Sequence, residues 1–577
     1  MKSISLRITG LLGISLFLSF SVLFFFTPIR NVPVYIILLL AIPLGFLVHY
    51  AIGFIGIAKG MTRAKKVSLC IFGILYPLLI TVSIRGEQAF LMDNHIVIIL
   101  GVWFGVFSTV LIGTMAIIRF FLSFNLDKEE KSVPIWKIAL YALPFLVVSL
   151  FFLIAFYPGT MTPDSLAQWG QAKSKQYTDW HPVVHTWLIG LLLKIRDTPA
   201  VIALFQIFMF SFTTGLLGYV LERARIPKAF IWLGLIIFAL SPIHAITSIT
   251  IWKDVSFSVV LFLFTILIFL IVKSAGKVIS SWPFIILFVL ASLGVIFFRH
   301  NGFPVFVVTM VFVLIMYRTH WKRVLPITVM LILTHQIVTG PIYTALKVHP
   351  SDPQEMLSIP TQQIATIVTE EGYMTDEQTE YINRLFPIPL WTEKFNPYSV
   401  DPIKFSWGDY DRFVIYDDPK LYAKMWGELV TQNPYLAAKG LFKQTSLVWQ
   451  INEPADGYTS RYVTNIYLNN EYGLVNSVLN PQVTKTALNY MKTTDKAKDI
   501  IWRPAFYTLL ALLFTYISYL RNNWRSWLIL LPVALNTGAV FVGIPAQDFR
   551  YLLSNSFVMY ALLFFSFIKF DVIRKAK

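Results

Sequence analysis

Long apolar runs, separated by short polar segments, follow one another along most of the chain. A run of roughly 17–25 residues is long enough to cross a hydrocarbon core about 30 Å thick as a helix. The pattern predicts about fourteen such helices. They lie at residues 8–27, 33–57, 68–84, 96–118, 137–156, 200–220, 229–247, 255–272, 282–298, 302–317, 324–345, 503–520, 526–545 and 551–570. The first run is long for a signal peptide and lacks a clear small-residue cleavage site, so we interpret it as a retained helix.

The composition agrees with a membrane protein, since 56% of the 577 residues are hydrophobic and only 14% are charged. The formal charge of +17 is unevenly distributed, because residues 347–500 carry 19 acidic and 14 basic side chains and the rest of the chain is net +22. Basic residues in short loops mark the cytoplasmic side of a membrane, so topology explains the charge and no nucleic-acid partner is implied. The single cysteine, Cys70, excludes an intrachain disulfide.

Short basic loops predict the orientation of the chain in a cell membrane. They lie at residues 59–66, 119–137, 223–228, 273–277, 318–323 and 521–525. With fourteen crossings all six loops fall on the cytoplasmic side, together with both termini and the basic tail 569–577.

Four parts follow from this topology, in an all-α polytopic membrane protein. Residues 1–136 are N-terminal transmembrane helices, and 137–345 are a transmembrane core with outer loops. Residues 346–500 are predicted to be an extracytoplasmic domain, either mostly helical or mixed α/β, and 501–577 return to the membrane.

The first candidate for chemistry is Asp164, which lies between Pro163 and Ser165 where the chain leaves a membrane helix. Asp164 and Ser165 are both suited to cap the helix that follows. A carboxylate at the membrane surface is equally suited to act as a general base. The two roles are compatible, and the sequence favours neither.

A second segment contains Asp179, His181 and His185. The two histidines are four residues apart, and they share a helical face if Pro182 opens a helix. A divalent metal bound by this pair and an aspartate is the weaker interpretation, because the glutamate of the helical zinc motif is missing. Packing at the interface, or hydrogen bonding to an anionic ligand, is the stronger one.

Charged clusters also occur where outer turns meet predicted spans. One consists of Trp252-Lys253-Asp254, and each cluster taken alone is typical of an interfacial belt. The others are Arg299-His300-Asn301-Gly302 and the turn 547–551, with Asp548 and Arg550. Their convergence on one face with the Asp164 segment indicates a functional site.

These motifs together resemble the GT-C class of polytopic glycosyltransferases, and most closely a bacterial family of uncharacterised membrane proteins within that class. The resemblance covers residues 157–551. It is carried by Tyr157-Pro-Gly with Asp164-Ser165 and Gln168, by Asp179-Trp-His181-Pro182, by the two clusters at 252–254 and 299–302, by Ser358-Ile-Pro-Thr-Gln-Gln-Ile-Ala365, and by Asp548-Phe-Arg550-Tyr551.

The resemblance implies an inverting transfer from a polyprenyl-phosphate or polyprenyl-diphosphate sugar to an envelope glycan or a lipid-linked acceptor. It assigns the catalytic base to Asp164, with Asp179 as a second carboxylate or as the base itself. The resemblance assigns no cofactor, and a divalent metal stays the weaker interpretation. The expected phosphate- or substrate-binding residues are Lys253, Asp254, Arg299, His300, Asn301, Arg550, His181 and Gln168. Aromatic residues of the polar domain that are candidates for stacking on sugar rings are Trp391, Trp407, Tyr410 and Trp426.

A transporter or flippase of a lipid-linked precursor is the main alternative. Its substrate groups are expected near mid-membrane on broken helices, whereas these charges lie at the outer ends of spans. An assembly scaffold is a third alternative, but it requires no converging clusters of charge.

Overall fold

The computed structural model describes residues 2–27, 31, 33–84, 89–124, 126 and 130–571, and helix is its regular structure. No strand occurs among these residues, whose extended segments meet only in isolated β-bridges. The prediction of an all-helical chain with apolar helices is confirmed. Within residues 346–500 the helical alternative is right, and the mixed α/β alternative is wrong.

Nine helices of the described part of the chain are long and apolar enough to cross a membrane, and each coincides with a predicted run. They are Thr9–Phe26, Val34–Lys59, Arg63–Ser83, Ile96–Ser123, Lys137–Ala155, Pro199–Arg223, Lys253–Lys273, Arg318–Ala345 and Ser526–Gly543. The chain is therefore consistent with a multi-pass membrane protein.

The other five predicted runs also form helices, but these are short or bent. Four of them are Lys228–Leu240, Trp282–Phe297, Gly302–Met316 and Phe549–Phe565. The fifth run forms Pro504–Arg521, which meets the preceding helical segment Pro481–Ile501 at an angle of 55°. Length and composition support nine or ten crossings among the described residues, so the count of fourteen stays a prediction.

Helix Lys253–Lys273 lies at the centre of the bundle, with nearly all of its side chains buried. A helix that is apolar on every side is expected to be surrounded by other helices. Its neighbours are Pro199–Arg223, Trp282–Phe297, Ser526–Gly543 and Leu553–Phe565. The first turn of this central helix is therefore held by the whole bundle.

The polar region 346–500 consists of short helices joined by turns. They are Pro353–Met356, Ser358–Thr369, Asp376–Leu385, Ile388–Glu393, Asp401–Lys404, Phe413–Asp417, Pro419–Gln432, Pro434–Gln444, Ser446–Trp449, Pro481–Thr494, Asp495–Ala497 and Lys498–Ile501. Ser358–Thr369 is the central one, with Ile364, Ala365 and Ile367 in the region's own apolar core. The motif 358–365 is therefore a structural element of this region.

The predicted cytoplasmic loops meet at one end of the bundle. Nζ of Lys65 donates to the carbonyl of Leu520 at 2.7 Å, and Nη1 of Arg521 donates to that of Phe124 at 2.8 Å. Glu130 forms ion pairs with both Arg223 and Lys273 in the same area. These contacts agree with a common side for the loops, while residues 572–577 of the basic tail lie outside the described residues.

The polar region covers the opposite end of helix Ser526–Gly543. The amide of Val400 donates to the carbonyl of Pro545 at 3.0 Å, and Nε2 of Gln444 donates to that of Ile544 at 2.8 Å. The extended stretch after residue 450 continues across this end, where Ser460 and Asp548 form a β-bridge. The charged clusters lie beneath this cover.

Candidate active site

Gly159 brings the Asp164 segment beside the start of the central helix. Its φ of 119° is in a region that favours glycine, and a Cβ here would lie 3.0 Å from the carbonyl oxygen of Ile249. The next residue pairs with the facing segment, since the amide of Ile251 donates to the carbonyl of Thr160 at 2.9 Å. Asp164 is thereby placed near Asp254, although 90 residues of sequence separate them.

The predicted capping role of Asp164 is wrong. Helix Pro163–Ser174 is capped by Thr162, whose amide donates to Oγ of Ser165 at 3.2 Å. Nε1 of Trp252 donates to Oγ1 of Thr162 at 2.8 Å and fixes this cap against the central helix. Because the cap is satisfied by other residues, the carboxylate of Asp164 is available to a more distant partner.

That partner is Arg550, whose single guanidinium lies among three carboxylates. Nη1 of Arg550 donates to Oδ2 of Asp164 at 2.7 Å. Its Nε lies 3.0 Å from Oδ2 of Asp548 and 4.0 Å from Oδ2 of Asp254. The guanidinium also lies 5.1 Å from the ring centre of Trp252, within reach of a cation–π interaction.

Asp254 is buried in the first turn of the central helix, with 1% of its surface exposed. Besides Arg550, it faces Arg299, whose Nε lies 3.4 Å from Oδ1. Neither carboxylate oxygen accepts a hydrogen bond from a described residue. A buried anion of this kind offsets the repulsion between two neighbouring guanidinium groups, so Asp254 positions cations and is not suited to contact phosphate itself.

Lys253 and His181 form the other half of the charged cluster. Nζ of Lys253 lies 2.7 Å from Nδ1 of His181, and His181 is 2% exposed. Burial, together with the charge of Lys253, lowers the pKa of His181 to about 3. The imidazole is therefore neutral near pH 7, and its Nδ1 accepts a hydrogen bond from the ammonium group.

The carboxylates of the cluster differ in acidity. Burial raises the pKa of Asp164, but the charges of Arg550 and Lys253 oppose it and lower the pKa to about 2. For Asp179, burial outweighs the charge of Lys253 and raises the pKa to about 6. Burial also raises the pKa of Asp548 to about 6. Asp164 is thus ionised at neutral pH, whereas the pKa of Asp179 lies close to neutral pH.

His300 lies at the edge of the cluster and is half-exposed. Its Nε2 is 4.0 Å from Oδ1 of Asp179. The adjacent Asn301 instead donates from Nδ2 to Oδ1 of Asn536 at 2.8 Å, which ties two helices together. Gly302 follows Asn301, and glycine is needed there because of close packing and not because of a special backbone angle. A Cβ at this position would lie 1.8 Å from the carbonyl oxygen of Val295.

Gln168 lies away from the charged cluster, in a buried hydrogen-bonded group. Its Oε1 is 3.2 Å from Nδ1 of His185, and its Nε2 donates to Oγ1 of Thr186 at 3.0 Å. Nε2 of His185 lies 3.1 Å from Oγ of Ser256. This group joins two loop helices to the central helix, so the prediction that Gln168 contacts substrate has no support from its position.

Helix Val183–Leu193 begins after Pro182, as expected, but the two histidines have separate partners. His181 faces Lys253, and His185 faces Gln168 and Ser256. Within the described part of the chain, no three side chains of histidine, cysteine, aspartate or glutamate form a group that could hold a metal ion. The weaker, metal-binding interpretation of this segment therefore has no geometric support.

The aromatic candidates of the polar region mostly fill its core. Trp391 is fully buried and Tyr410 is 5% exposed, so stacking of these two on a sugar is wrong. Trp426 donates from Nε1 to Oε1 of Gln363 at 2.9 Å, and only Trp407 of the four is largely exposed. These residues are conventional core aromatics, apart from Trp407.

Two exposed aromatic residues, Trp180 and Phe405, lie beside the cluster, and the sequence did not indicate their contact. Trp180 stacks on the ring of His181 with centres 5.4 Å apart, and its ring centre lies 6.2 Å from that of Phe405. Trp180 and Phe405 are far apart in the sequence, so no local pattern indicated their contact. Asp548, Trp252 and Arg550 all lie in motifs that the sequence singled out, but those motifs did not show that Asp548 and Trp252 contact Arg550.

Comparison with known proteins identifies a family for most of the chain. The model of a family of unknown function, DUF6020, matches residues 168–574. This range contains all three charged clusters and Asp179, and it begins four residues after Asp164. No curated protein and no solved structure matches the chain at a significant level.

Proposed function

We propose that the chain, which belongs to the family of unknown function DUF6020, is a membrane glycosyltransferase. It would transfer a sugar from a polyprenyl-phosphate or polyprenyl-diphosphate donor to a glycan or lipid-linked acceptor. The proposal places the charged clusters on the outer face of a cell membrane and includes fourteen crossings of the GT-C type.

One observation carries the proposal: an ionised carboxylate and several cations share one site at an end of the apolar bundle. The side chain of Asp164 is one-third exposed, while Arg550 beside it is mostly buried. Lys253 is the first residue of the central helix, where unpaired amide groups and the helix dipole add positive potential. A base and an anion-binding surface are the two elements that transfer from a lipid phosphate requires.

The chemistry follows from these positions. The donor's tail would lie among the helices, and its phosphate would contact Arg550 and Lys253. An acceptor hydroxyl would attack the anomeric carbon as the bond to the phosphate oxygen breaks. Asp164 would take the hydroxyl proton, with Asp179 as the alternative base. A single displacement of this kind inverts the anomeric configuration.

The proposal differs from transport in where the charges lie. A carrier of lipid-linked sugars is expected to bind its cargo near the middle of broken helices. Here Lys253, Asp254 and Asp548 lie at ends of helical segments, under the polar region 346–500. This placement favours a reaction at the membrane surface.

The test combines cells with purified protein. Mass spectrometry of envelope glycans from cells with and without the chain identifies the sugar that is missing. Purified protein in lipid nanodiscs is then given the polyprenyl-phosphate form of that sugar together with the glycan extracted from the deficient cells. Transfer by the natural chain, and its loss in Asp164→Asn or Asp179→Asn with retention in Asp495→Asn, supports the proposal. Unchanged glycans in the deficient cells, or equal transfer by all variants, would refute it.

A further inference from the structure

The two arginines of the candidate site are already paired with carboxylates, while its lysine lies against His181. Arg550 lies beside Asp164 and Asp548, and Arg299 lies beside Asp254. The charge of Lys253 also acts on Asp164. The formal charges of these six groups balance when all are ionised. An incoming phosphate therefore finds no unengaged guanidinium and must compete with a carboxylate for one.

The three carboxylates around Arg550 are not equally easy to displace. Asp254 is buried and also faces Arg299. Asp548 accepts the backbone amide of Arg550 at 3.1 Å in the same turn, so it remains beside that residue whatever the guanidinium binds. Asp164 belongs to a separate helix, and its side chain is one-third exposed. The bond from Arg550 to Asp164 is thus the contact that a phosphate is best placed to replace.

We propose that Arg550 couples donor binding to release of the base: it holds Asp164 until the donor binds, and the donor's phosphate then draws its Nη1 away. This inference rests on the proposed function and adds an order of events to it. Acceptor activation follows donor binding, because a phosphate that takes the hydrogen bond now donated by Nη1 of Arg550 leaves Asp164 without it.

The titratable groups that face Asp164 determine how its pKa responds when Arg550 moves to the phosphate. The basic ones are Arg550, His181 and Lys253, and the acidic ones are Asp548 and Tyr551. Burial raises the pKa of Asp164, whereas the charges of Arg550, His181 and Lys253 lower it to about 2, with Arg550 the largest of the three. When Arg550 turns to the phosphate, and the phosphate adds negative charge nearby, the pKa of Asp164 rises. An adjacent arginine lowers the pKa of an aspartate by about 1–3 units, and loss of the contact reverses that effect.

The transfer step is balanced in this scheme. The acceptor oxygen forms a bond to the anomeric carbon and gives its proton to Asp164. The bond between the anomeric carbon and the phosphate oxygen breaks, and its electron pair stays on the phosphate, which Arg550 neutralises. When the lipid phosphate leaves, Asp164 returns its proton to water and regains Arg550.

Infrared difference spectroscopy of the full chain in nanodiscs tests the coupling. The protonated carboxyl band of Asp164, identified as the band absent from Asp164→Asn, is titrated with pH with and without polyprenyl phosphate. Its midpoint is expected to move up by about 1–3 pH units when the lipid is bound. In Arg550→Gln the midpoint is expected to be high already, and bound lipid should move it by less than in the natural chain.

Controls separate coupling from general damage. Arg412→Gln removes another arginine of an arginine–aspartate pair, with Asp352 in the polar region, and should leave the midpoint of Asp164 unchanged. If Arg550→Gln fails to fold, Arg550→Lys is used, and the lipid should still raise the midpoint. Native mass spectrometry reports lipid binding independently. An unmoved Asp164 midpoint with bound lipid overturns the coupling, whereas absence of lipid binding to the natural chain overturns the proposed donor class.

Discussion

Lys253 and His181 are joined through Nζ and Nδ1 at 2.7 Å, although 72 residues separate them in the sequence. The contact gives His181 a fixed role as acceptor and leaves the other protons of the ammonium group for further partners. It links the start of the central helix to the loop that contains Asp179. The cluster is thus assembled from separate segments of the chain.

Lys253→Gln is expected to weaken donor use, because it removes a charge from the helix start where the phosphate is proposed to bind. Transfer rates measured against polyprenyl-phosphate sugar concentration should show a higher KM. Lys439→Gln, which removes a surface partner of Glu370, serves as the matched control. An unchanged KM in Lys253→Gln would return this residue to the interfacial-belt interpretation.

Asp164→Asn is expected to lower the transfer rate by about 10²–10⁴-fold, the usual contribution of a general base. The fold should be retained, because Thr162 and Ser165 form the helix cap. Single-turnover rates of this variant and of Asp179→Asn decide between the two carboxylates. If Asp179→Asn abolishes transfer and Asp164→Asn does not, Asp179 is the base.

Asp179 makes the stability of the protein depend on pH. Its pKa in the folded chain is about 6, above the ordinary 3.8, so the folded state holds the proton more tightly. Its stabilising contribution is present below about pH 4 and is lost as the pH rises to about 6. The unfolding midpoint of Asp179→Asn, measured relative to the natural chain, should therefore be higher at pH 7 than at pH 4.

An exposed carboxylate provides the comparison for this pH effect. Asp409→Asn changes an exposed residue of the polar region and should show a nearly constant difference between the two pH values. Equal pH profiles for Asp179→Asn and Asp409→Asn would mean that burial does not govern the titration of Asp179.

Asp254→Asn is expected to destabilise the chain strongly, since it leaves Arg299 and Arg550 close together without the buried charge between them. Removing one partner of a buried ion pair costs about 3–5 kcal/mol. Asp495→Asn breaks a more exposed pair with Arg461, for which about 0–1 kcal/mol is expected. Thermal unfolding in nanodiscs measures both, and similar small shifts would contradict the role of Asp254.

The predicted orientation is tested by cysteine labelling in a Cys70→Ser background. Lys175→Cys lies after the helix that carries Asp164, and Lys66→Cys lies in a basic loop; both positions are exposed. An impermeant thiol reagent added to intact cells should label position 175 and not position 66. The reverse pattern would place the candidate site in the cytoplasm.

The pattern of apolar runs determined much of the fold, because burial of about 20 apolar residues in a membrane dictates a helix wherever such a run occurs. It correctly predicted helices such as Lys137–Ala155 and Pro199–Arg223, which lie where apolar runs occur. The number of crossings is not determined by the sequence, since helices such as Gly302–Met316 are short for a span. Length alone does not decide whether a short helix crosses.

The sequence also indicated which charged residues belong to one face, because Lys253, Arg299 and Arg550 all lie next to the ends of apolar runs. Only the tertiary structure decided their partners. Asp164 looked like a helix cap because capping is a local preference, yet Thr162 forms the cap and Asp164 meets Arg550, 386 residues away. Such a pair depends on how the helices pack together, and no local pattern of residues encodes that distance.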